Sequence, residues 1–581
     1  MKSTLATFAL VYLSTVVFAS TNFSRCLEEI KLNNTNPNSP WFRTLLDNHG
    51  MPVNDTSKGR AIAYDVCLKA CGSGQEPFNW STFSQEFSAW LLPYLALLSQ
   101  LPFGAQDKLE NLLSMLLTLG SPTLAAYSIA ITILNGRWIA RLFSPFTYPN
   151  SRNATRILSS LQQSPLRIRQ DRSLLSSLVV LPENDEWWSE LCVWINYTHT
   201  WSISAATSIA WVVVAYIFTV IDSFTDIIGT YNTSGQGVGS VWLWLLPVVI
   251  AWLQISPKCD SRRVHQAVQR ANEIAYVATP GGHVKLASDL SAHRAIYLEV
   301  EDRGALYSDQ YVTAPVFNYS RVFSWTATVE TVAAYFAEAS ERAKDSDPVD
   351  GAHLWMPSEN RNIRIRPENR TGSSLQVDKY CTPDTPPSPK SFGSGVWTRV
   401  ALASLMALGL QWGTAGAAIL VVVQTPTTGL GCRSGAYLVY AGVSSLVWVM
   451  LVLSSVLAHY VSTIESRKLN VNPYRYRGSS YRIILATEAS NLLRRLGKIL
   501  ATMNAVWIVL ICLFQFSAFF DRCYCNSSVL GRGAAAFNVM DPSDDVSSMK
   551  AAWVGGVVLA SGTAFFVLGL CGHHDQPTAA R

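Results

Sequence analysis

Charged residues are scarce in this chain, because Asp, Glu, Lys and Arg make up only 15% of its 581 residues. This low charge, with 49% apolar residues and only 34 Gly, excludes a disordered chain, a collagen and a coiled coil. The formal net charge is only +5, and the 45 Lys and Arg residues lie mostly between apolar blocks. They indicate membrane orientation rather than a nucleic-acid-binding surface, so we expect no nucleic acid as a partner.

The common motifs of catalysis are also missing. The sequence has no GxxxxGK(S/T) phosphate loop, no HExxH, no GxSxG and no paired CxxC. Nucleotide hydrolysis and the zincin and α/β-hydrolase activities therefore lose their usual support. Metal-type ligands occur together only at the chain end, at Cys571, His573, His574 and Asp575, without a second cluster. We predict no catalytic residue, no cofactor and no metal site, and the sequence leaves enzymatic activity open while favouring its absence.

Apolar residues are abundant, at 49% of the chain with 19 Trp and a mean hydropathy of +0.17. They gather into long blocks, as in multi-pass membrane proteins. The blocks lie at 87–103, 112–134, 203–222, 240–256, 399–423, 434–458, 499–520 and 551–571. The predicted fold is an all-α polytopic membrane protein. It has a bundle of seven or, alternatively, eight transmembrane helices, a small extracellular head and a mixed cytosolic connector, and the lipid bilayer is its main partner.

The first residues are typical of a secretory signal peptide over 1–19. Lys2 precedes an apolar run that ends at Phe18, next to Ala19. The run is shorter than the roughly 20 residues that a transmembrane helix needs. Residues 20–86 are then a polar extracellular or lumenal head, too small to bury much core, which a disulfide would support. We expect an integral membrane protein of the secretory pathway, in the plasma membrane or an endomembrane.

Positive charge predicts the orientation of the spans, because basic loops stay in the cytosol. Lys and Arg number seven in 135–202, sixteen in 257–398 and eight in 459–498, but none in 223–239, one in 424–433 and three in 521–550. The first three connectors are therefore expected in the cytosol, and the last three, including the lumenal loop 521–550, outside.

An extracellular head and a cytosolic connector 135–202 require an odd number of crossings between them. Block 87–103 is short and contains Pro93, so we predict a re-entrant or interfacial segment there and a full span at 112–134. Seven spans result, with pairs in 203–256, 399–458 and 499–571 and a tail at 572–581. The alternative is eight spans, with 87–103 as a tilted or kinked helix.

The seven-span arrangement places an even number of cysteines outside, so that all can pair. The disulfide candidates are Cys26, Cys67, Cys71, Cys432, Cys523 and Cys525. Cys523 and Cys525 are too close in sequence to bond easily to each other, so Cys432 is expected to bond to the head or to one of them. The N-glycosylation candidates outside are Asn22, Asn33, Asn54, Asn79, Asn232 and Asn526. The sequons at Asn153, Asn196, Asn318 and Asn369 would remain unmodified in the cytosol.

The connector 257–398 is the largest polar segment. AIYLEV and YVTAPVF, between residues 295 and 317, favour strands. Apolar residues that recur every three or four positions predict an amphipathic helix over 322–344. Its apolar stripe either packs on its own domain or binds a cytosolic protein partner. Residues 345–396, which include TPDTPPSPK, favour a flexible linker.

Ionisable residues are almost absent from the predicted spans, which argues against proton-coupled transport and voltage sensing. The buried polar candidates are Gln411, Gln424 and Gln515. Small residues spaced by four predict close helix packing, and they are Gly413 with Ala417 and Gly556 with Ala560. In the basic connector 459–498, the cations Arg494, Arg495 and Lys498 either hold anionic lipid headgroups or act as an ordinary positive-inside signal.

Three stretches carry a resemblance: SQEFSAWLLPYLALLSQLPFG, LGSPTLAAYSIAITILNGRW and QTPTTGLGCRSGAYLVY. Together they resemble a group of uncharacterised multi-pass integral membrane proteins of filamentous fungi. The resemblance covers most of the chain but is specific only in these stretches. It implies a signal peptide, an extracellular head and long cytosolic connectors, and it supplies no catalytic residues.

The leading functional hypothesis is a non-enzymatic receptor-like or scaffold protein. One alternative is a transporter or channel for an uncharged or weakly charged solute, with Pro93, Pro122 and Pro247 as broken segments. Another is a membrane-embedded enzyme. A dry bundle with an ordered cytosolic domain favours the first, a water-filled cavity inside the bundle the second, and converging His, Asp or Glu the third.

Overall fold

A computed structural model of the chain describes residues 21–103, 108–168, 172–197, 201–231, 237–290, 295–298, 308–358, 365–383, 392–471 and 481–572. Of these described residues, 72% are helical. It has a head unit, a helix bundle and a connector unit, with the bundle between the other two. The predicted signal peptide, the sequon at Asn232 and the ligands from His573 to Asp575 lie outside the described residues.

The head unit combines residues 21–79 with the loop 517–545. Its helices are Phe23–Asn33, Tyr64–Ala70, Cys523–Asn526 and Val529–Arg532. Its antiparallel sheet has Ala61–Ala63 in the centre, paired with Leu45–Leu46 on one side and Phe537–Val539 on the other. The small core includes Phe23, Ile30 and Ile62. Two segments far apart in sequence therefore form one unit.

Six helices in the described part of the chain are long and apolar enough to cross a membrane. They are Ile203–Thr225, Gly237–Ile255, Val396–Gln424, Cys432–Ile464, Tyr481–Phe516 and Ser543–Gly572. Small residues bring two of them close together, as their spacing predicts. A Cβ on Gly556 would lie 2.5 Å from Cγ2 of Val421, and one on Gly413 would lie 2.3 Å from Oγ1 of Thr563.

Contacts at the helix ends show that two of these six helices run between the two units. Arg399, at the start of Val396–Gln424, donates to Thr326 Oγ1 in the connector unit at 3.0 Å. Beyond the other end of that helix, Thr427 Oγ1 accepts from the N–H of Val539 in the head unit at 2.9 Å. The helix Tyr481–Phe516 likewise binds Asp309 of the connector unit through Lys498 and leads to Cys523 in the head.

The segment before these helices differs from the expected order. Helix Trp80–Glu86, the π-helical turn Phe87–Leu91 and helix Leu92–Leu98 run the length of the bundle, from the head unit to Gln100. Gln100 Nε2 lies 3.4 Å from Oγ of Ser204, at the connector end of the bundle. The segment expected to be re-entrant therefore passes from end to end. Its π-helical turn precedes Pro93, whose ring cannot continue a regular helical ladder.

The segment expected to be a full span instead folds back. Helices Lys108–Gly120 and Pro122–Phe143 form a pair bent by 101°, called here the re-entrant pair. Its first helix begins beside the connector unit, where Glu110 and His265 line one cavity. Its second helix returns there, and the rings of Trp138 and Trp325 lie 5.9 Å apart. The pair thus enters and leaves the bundle at the same end.

The connector unit combines the connectors that precede and follow the first two long helices. Its helices are Ser151–Ser160, Arg172–Val180, Asp185–Ile195, Ser261–Glu273, Ser308–Tyr311, Val322–Lys344 and Ser374–Cys381. Two antiparallel strand pairs join Leu166–Ile168 to Ile296–Leu298 and Tyr276–Ala278 to Val284–Leu286. Trp187 and Trp188 lie fully buried in one continuous core.

The structure bears on three expectations for the connector. Ile296–Leu298 is a strand, but YVTAPVF is not, because Pro315 opens the 3-10 helix Pro315–Ser320. The helix Val322–Lys344 forms as predicted, and its apolar side chains pack inside the connector unit. Residues 365–383 of the expected flexible linker are ordered, because Val377 and Tyr380 are buried in the same core.

Candidate functional site

The break in the re-entrant pair is the first candidate site. Pro122 takes the first position of the second helix, where its missing N–H costs no hydrogen bond. Ser121 is the N-cap, and its Oγ accepts from the N–H of Leu124 at 3.2 Å. Gly120 is required at the break because a Cβ there would lie only 1.8 Å from the carbonyl oxygen of Ala501.

Neighbouring helices satisfy the backbone groups that this break exposes. The carbonyl oxygen of Leu119 accepts from Tyr440 Oη at 2.9 Å, and that of Gly120 accepts from Asn504 Nδ2 at 2.7 Å. Ser444 Oγ accepts from the N–H of Thr123 at 3.3 Å. Tyr440, Asn504 and Ser444 are all buried. Helix ends inside a bundle can bind ions or substrates, but these ends already bind the protein itself.

A second candidate site is a cavity of about 360 Å³ between the bundle and the connector unit, called here the interface cavity. Glu110 and Leu113 of the re-entrant pair and Lys498 of Tyr481–Phe516 form its bundle wall. The connector wall contains Ser164, Pro165, Ser261, His265, Leu298, Asp309, Tyr311, Val312, Thr313 and Phe317. The lining mixes polar and charged side chains with apolar ones.

Asp309 is the buried charge of this cavity, with only 1% of its surface exposed. One carboxylate oxygen accepts from Lys498 Nζ, and the other accepts from Tyr319 Oη at 2.5 Å. Burial and the charge of Asp309 raise the pKa of Tyr319 well above its ordinary value, so its hydroxyl remains a donor. Because both oxygens are occupied, Asp309 acts here as one half of an ion pair.

Arg321 holds the segment that carries Asp309. Its guanidinium donates to the carbonyl oxygen of Val312, to that of Ala314 at 3.3 Å and to Asn318 Oδ1 at 2.8 Å. Burial lowers the pKa of Arg321 to about 10, which still leaves it charged at neutral pH. This shell fixes the backbone around the cavity.

Two cavity residues provide further hydrogen-bonding groups. Ser164 is 2% exposed, and no group in the described part of the chain forms a hydrogen bond with its Oγ. Gln269 Nε2 lies 2.8 Å from His265 Nε2.

All six cysteines singled out in the sequence form disulfides at the head end. Cys26 bonds to Cys71, Cys67 to Cys523 and Cys432 to Cys525. The bond of Cys67 spans 456 residues and ties the first part of the head to the loop between the last two long helices. The free cysteines among the described residues are Cys192, Cys259, Cys381, Cys512 and Cys571.

The sequons fall at both ends of the bundle. At the head end, Asn22 and Asn79 cap helices, accepting from the N–H groups of Arg25 and Ser81 at 2.9 Å. Asn33 donates to the carbonyl oxygen of Glu29, Asn54 is exposed, and Asn526 accepts from Arg433. In the connector unit, Asn153 and Asn196 reach the surface, whereas Asn318 and Asn369 are buried at 3% and 2% exposure.

Other polar residues singled out earlier are scattered. Gln411 is fully buried, and its amide has no hydrogen-bond partner among the described residues. Gln515 is also buried, whereas Gln424 is exposed. Lys498 forms an internal ion pair with Asp309, although it is also one of the basic residues at the edge of the bundle. Its role therefore differs from the one predicted for Lys498 together with Arg494 and Arg495, which was lipid binding or a positive-inside signal.

No known protein supplies a further guide: no family model, curated protein or solved structure matches this chain. The resemblance to fungal membrane proteins therefore stays a prediction.

The interface cavity was missed by reasoning from the sequence. Its ion pair joins residues 189 positions apart, Asp309 lies in an unremarkable polar stretch, and Lys498 fits an ordinary basic flank. Pro122 was noted as a break in an apolar block, and that signal did locate the first candidate site.

Proposed function

We propose that this chain is a non-enzymatic, receptor-like integral membrane protein with the head unit outside the cytosol and the connector unit inside it. In this proposal, the six helices that are long and apolar enough to cross a membrane are joined by a seventh span formed by the segment 80–98. The re-entrant pair enters from the cytosolic side and does not cross. This gives the number of spans that the charge pattern predicts, with the roles of 87–103 and 112–134 exchanged.

The distribution of cysteines supports this orientation. The three disulfides lie at the head end, whereas the connector unit holds the free thiols Cys192, Cys259 and Cys381. Disulfides persist in oxidising compartments, and thiols remain reduced in the cytosol. The buried sequons at Asn318 and Asn369 also fit a cytosolic connector unit, because a glycan attached there would disrupt its packing.

The observation that carries the receptor-like function is the closed helix break. In many transporters, broken helices present their ends to a solute inside the membrane. Here Tyr440, Asn504 and Ser444 satisfy those ends. A closed bundle between two folded units is suited to linking an external event to an internal domain, and the same architecture suits a scaffold.

A second candidate is a carrier for an uncharged or weakly charged solute. It is favoured by the position of the interface cavity, which shares Glu110 and Leu113 with the re-entrant pair. If the break opened, the cavity would become its inner entrance. An enzyme is less well supported, because Asp309 would have to leave both Lys498 and Tyr319 before acting as a base.

Thiol labelling tests both the orientation and the closed break. The five free cysteines are replaced by Ala, and single cysteines are introduced by Ser57→Cys in the head, Ser189→Cys in the connector unit and Ser444→Cys at the break. With a membrane-impermeant maleimide, we expect Ser57→Cys to be labelled on intact cells and Ser189→Cys only after permeabilisation. Ser444→Cys should be labelled only after unfolding.

The two surface positions are the controls, since both residues are exposed. Labelling of Ser444→Cys in the folded protein would contradict the receptor-like function and support the carrier. A glycan found at Asn153, or exchanged behaviour of the two surface cysteines, would instead overturn the orientation.

A further inference from the structure

We propose that the interface cavity binds a small amphipathic monocarboxylate, of the size of an amino acid or hydroxy acid. The ligand carboxylate would lie between Lys498 Nζ and Ser164 Oγ. This site goes beyond the receptor-like function, because binding at equilibrium requires neither a signal nor a particular orientation in the membrane.

The size and lining of the cavity fit such a ligand. Its volume of about 360 Å³ is near the lower end of the range for ligand pockets, which excludes a large cofactor and accommodates a small metabolite. Leu113, Leu298 and Phe317 line it alongside the charged residues. A ligand that fills it therefore needs an apolar part as well as a polar one.

Two donors converge on the cavity from different parts of the protein. Lys498 has three N–H donors, and its described ion pair with Asp309 uses one oxygen of that carboxylate. Ser164, on the opposite wall, is a buried hydroxyl with no hydrogen-bond partner among the described residues. Buried polar groups in native proteins are almost always hydrogen-bonded, so an unsatisfied one that lines a cavity indicates a missing polar partner. A carboxylate supplies acceptors for both.

The charge of the walls decides which anion fits. Glu110 and Asp309 are two carboxyl groups on the lining, against the single ammonium of Lys498. A phosphate dianion would bring a second negative charge towards them, which is unfavourable in a partly desolvated site. A monocarboxylate with an amino or hydroxyl group can instead place that donor towards Glu110. These charges favour an amino acid or a hydroxy acid.

Such a ligand would contact both the bundle and the connector unit, because Lys498 and Ser164 belong to different parts. A ligand that binds only the docked arrangement stabilises it by mass action. Occupancy would therefore strengthen the contact that the Asp309–Lys498 ion pair already makes.

Calorimetry on the full chain in nanodiscs of zwitterionic lipid tests the proposal. The probes are L-leucine, L-phenylalanine and the matching 2-hydroxy acids, with inorganic phosphate and nanodiscs containing anionic lipid as comparisons. We expect saturable binding of at least one monocarboxylate. Ser164→Ala should weaken it about tenfold, since it removes one hydrogen bond to a charged group. Ser164→Leu should abolish it by filling the space.

Ser189→Ala and Ser189→Leu are the matched controls on the exposed surface and should bind like the natural chain. The buried thiol of Cys381 should stay unlabelled in each variant, which verifies that the connector unit is folded. If Ser164→Leu misfolds, the expected tenfold weaker binding of the monocarboxylate in Ser164→Ala still tests the proposal.

Three outcomes would overturn the proposal. The first is no saturable binding of any monocarboxylate, and the second is binding in both Ser164 variants that equals binding in the natural chain. The third is tighter binding of phosphate or of anionic lipid than of every monocarboxylate. None of them alters the thiol-labelling result at Ser444, so failure of the cavity site and failure of the receptor-like function remain distinguishable.

Discussion

The head unit is held together by covalent bonds, whereas the connector unit is held by packing and buried polar contacts. Three disulfides stabilise the head unit and attach it to the bundle. The core of the head unit contains few large side chains. The connector unit has a much larger core. Its Cys259 and Cys381 are buried but remain free thiols. Small domains bury too little apolar surface to be stable alone, and disulfides compensate for this.

The polar contacts of the two units differ as well. In the connector unit, Asn184 joins two segments, because its Nδ2 donates to the carbonyl oxygen of Tyr276 at 3.0 Å and its Oδ1 accepts from the N–H of Tyr276 at 2.8 Å. In the head unit, acidic side chains crowd together, and Glu76 and Asp521 both lie near Arg433. Reduction and pH should therefore affect the head unit more than the connector unit.

The largest effect is expected from removing the Cys67–Cys523 disulfide. With the bundle folded, the bond closes a loop on the order of 20 residues, so the double Ser variant should destabilise the head by about 3 kcal/mol. Hydrogen exchange should accelerate both in residues 21–70 and in 523–540, because the bond links these segments. The connector unit should not change, as judged by slow labelling of Cys381.

The matched variant removes Cys26 and Cys71, whose bond lies within the first segment. We expect faster exchange mainly around the helix Phe23–Asn33, while residues 523–540 stay protected. Equal exposure of 523–540 in both variants would contradict the separate roles of the two bonds.

Much of this division could be predicted from the sequence. Apolar block length located the long helices, and the cysteine count on one side of the predicted topology selected the six that pair. The path of residues 80–143 could not be read in this way, because hydropathy reports burial and not direction. Contacts in the fold, such as those of Gln100 with Ser204 and of Trp138 with Trp325, distinguish a pass from a fold-back.

A smaller effect is expected from Arg370→Met in the connector unit. Arg370 forms a bidentate ion pair with Asp185 at 2.6 and 2.7 Å and donates to the carbonyl oxygens of Val180 and Leu181. Its side chain is 3% exposed, but that of Asp185 is 44% exposed and stays hydrated after the change. We therefore expect a loss of about 2 kcal/mol, less than for a fully buried pair.

Denaturant-dependent labelling of Cys381 measures this loss, because burial raises the pKa of that thiol to about 12 and keeps it unreactive in the folded unit. Arg263→Met is the control, since its pair with Asp260 is 66% and 41% exposed and should contribute about 0.5 kcal/mol or less. A larger loss of stability in Arg263→Met than in Arg370→Met would contradict the view that buried polar contacts stabilise this unit.

The interface cavity shows the limit of sequence reasoning for the candidate site. Ser164, Asp309 and Lys498 come from three separate segments, and none carries a recognisable motif. Their chemistry depends on burial and on distances that only the fold defines. The amphipathic helix over 322–344 was predictable, but not that the chain itself covers its apolar stripe.

The smallest expected effect is a pH dependence confined to the head unit. Burial and the charge of Asp521 raise the pKa of Glu76, and burial raises the pKa of Asp521 against the opposing effect of Arg433. Carboxyl groups with raised pKa values stabilise the folded state most when protonated, and this stability is lost as pH rises through the folded-state pKa. From about pH 5 to about pH 7, the head should therefore become less stable.

Glu76→Gln separates this effect from the rest of the head, because the amide cannot titrate. Hydrogen exchange of residues 21–70, corrected for its intrinsic pH dependence, should show a smaller loss between the two pH values in this variant than in the natural chain. Asp541 does not interfere, since hydrogen bonds from Ser543 and the charge of Arg60 outweigh burial and lower its pKa below this range. Two results would contradict this prediction: the same pH dependence of exchange in Glu76→Gln as in the natural chain, or a pH dependence in the connector unit as large as that in the head. Either result would mean that the crowded carboxyl groups do not distinguish the two units.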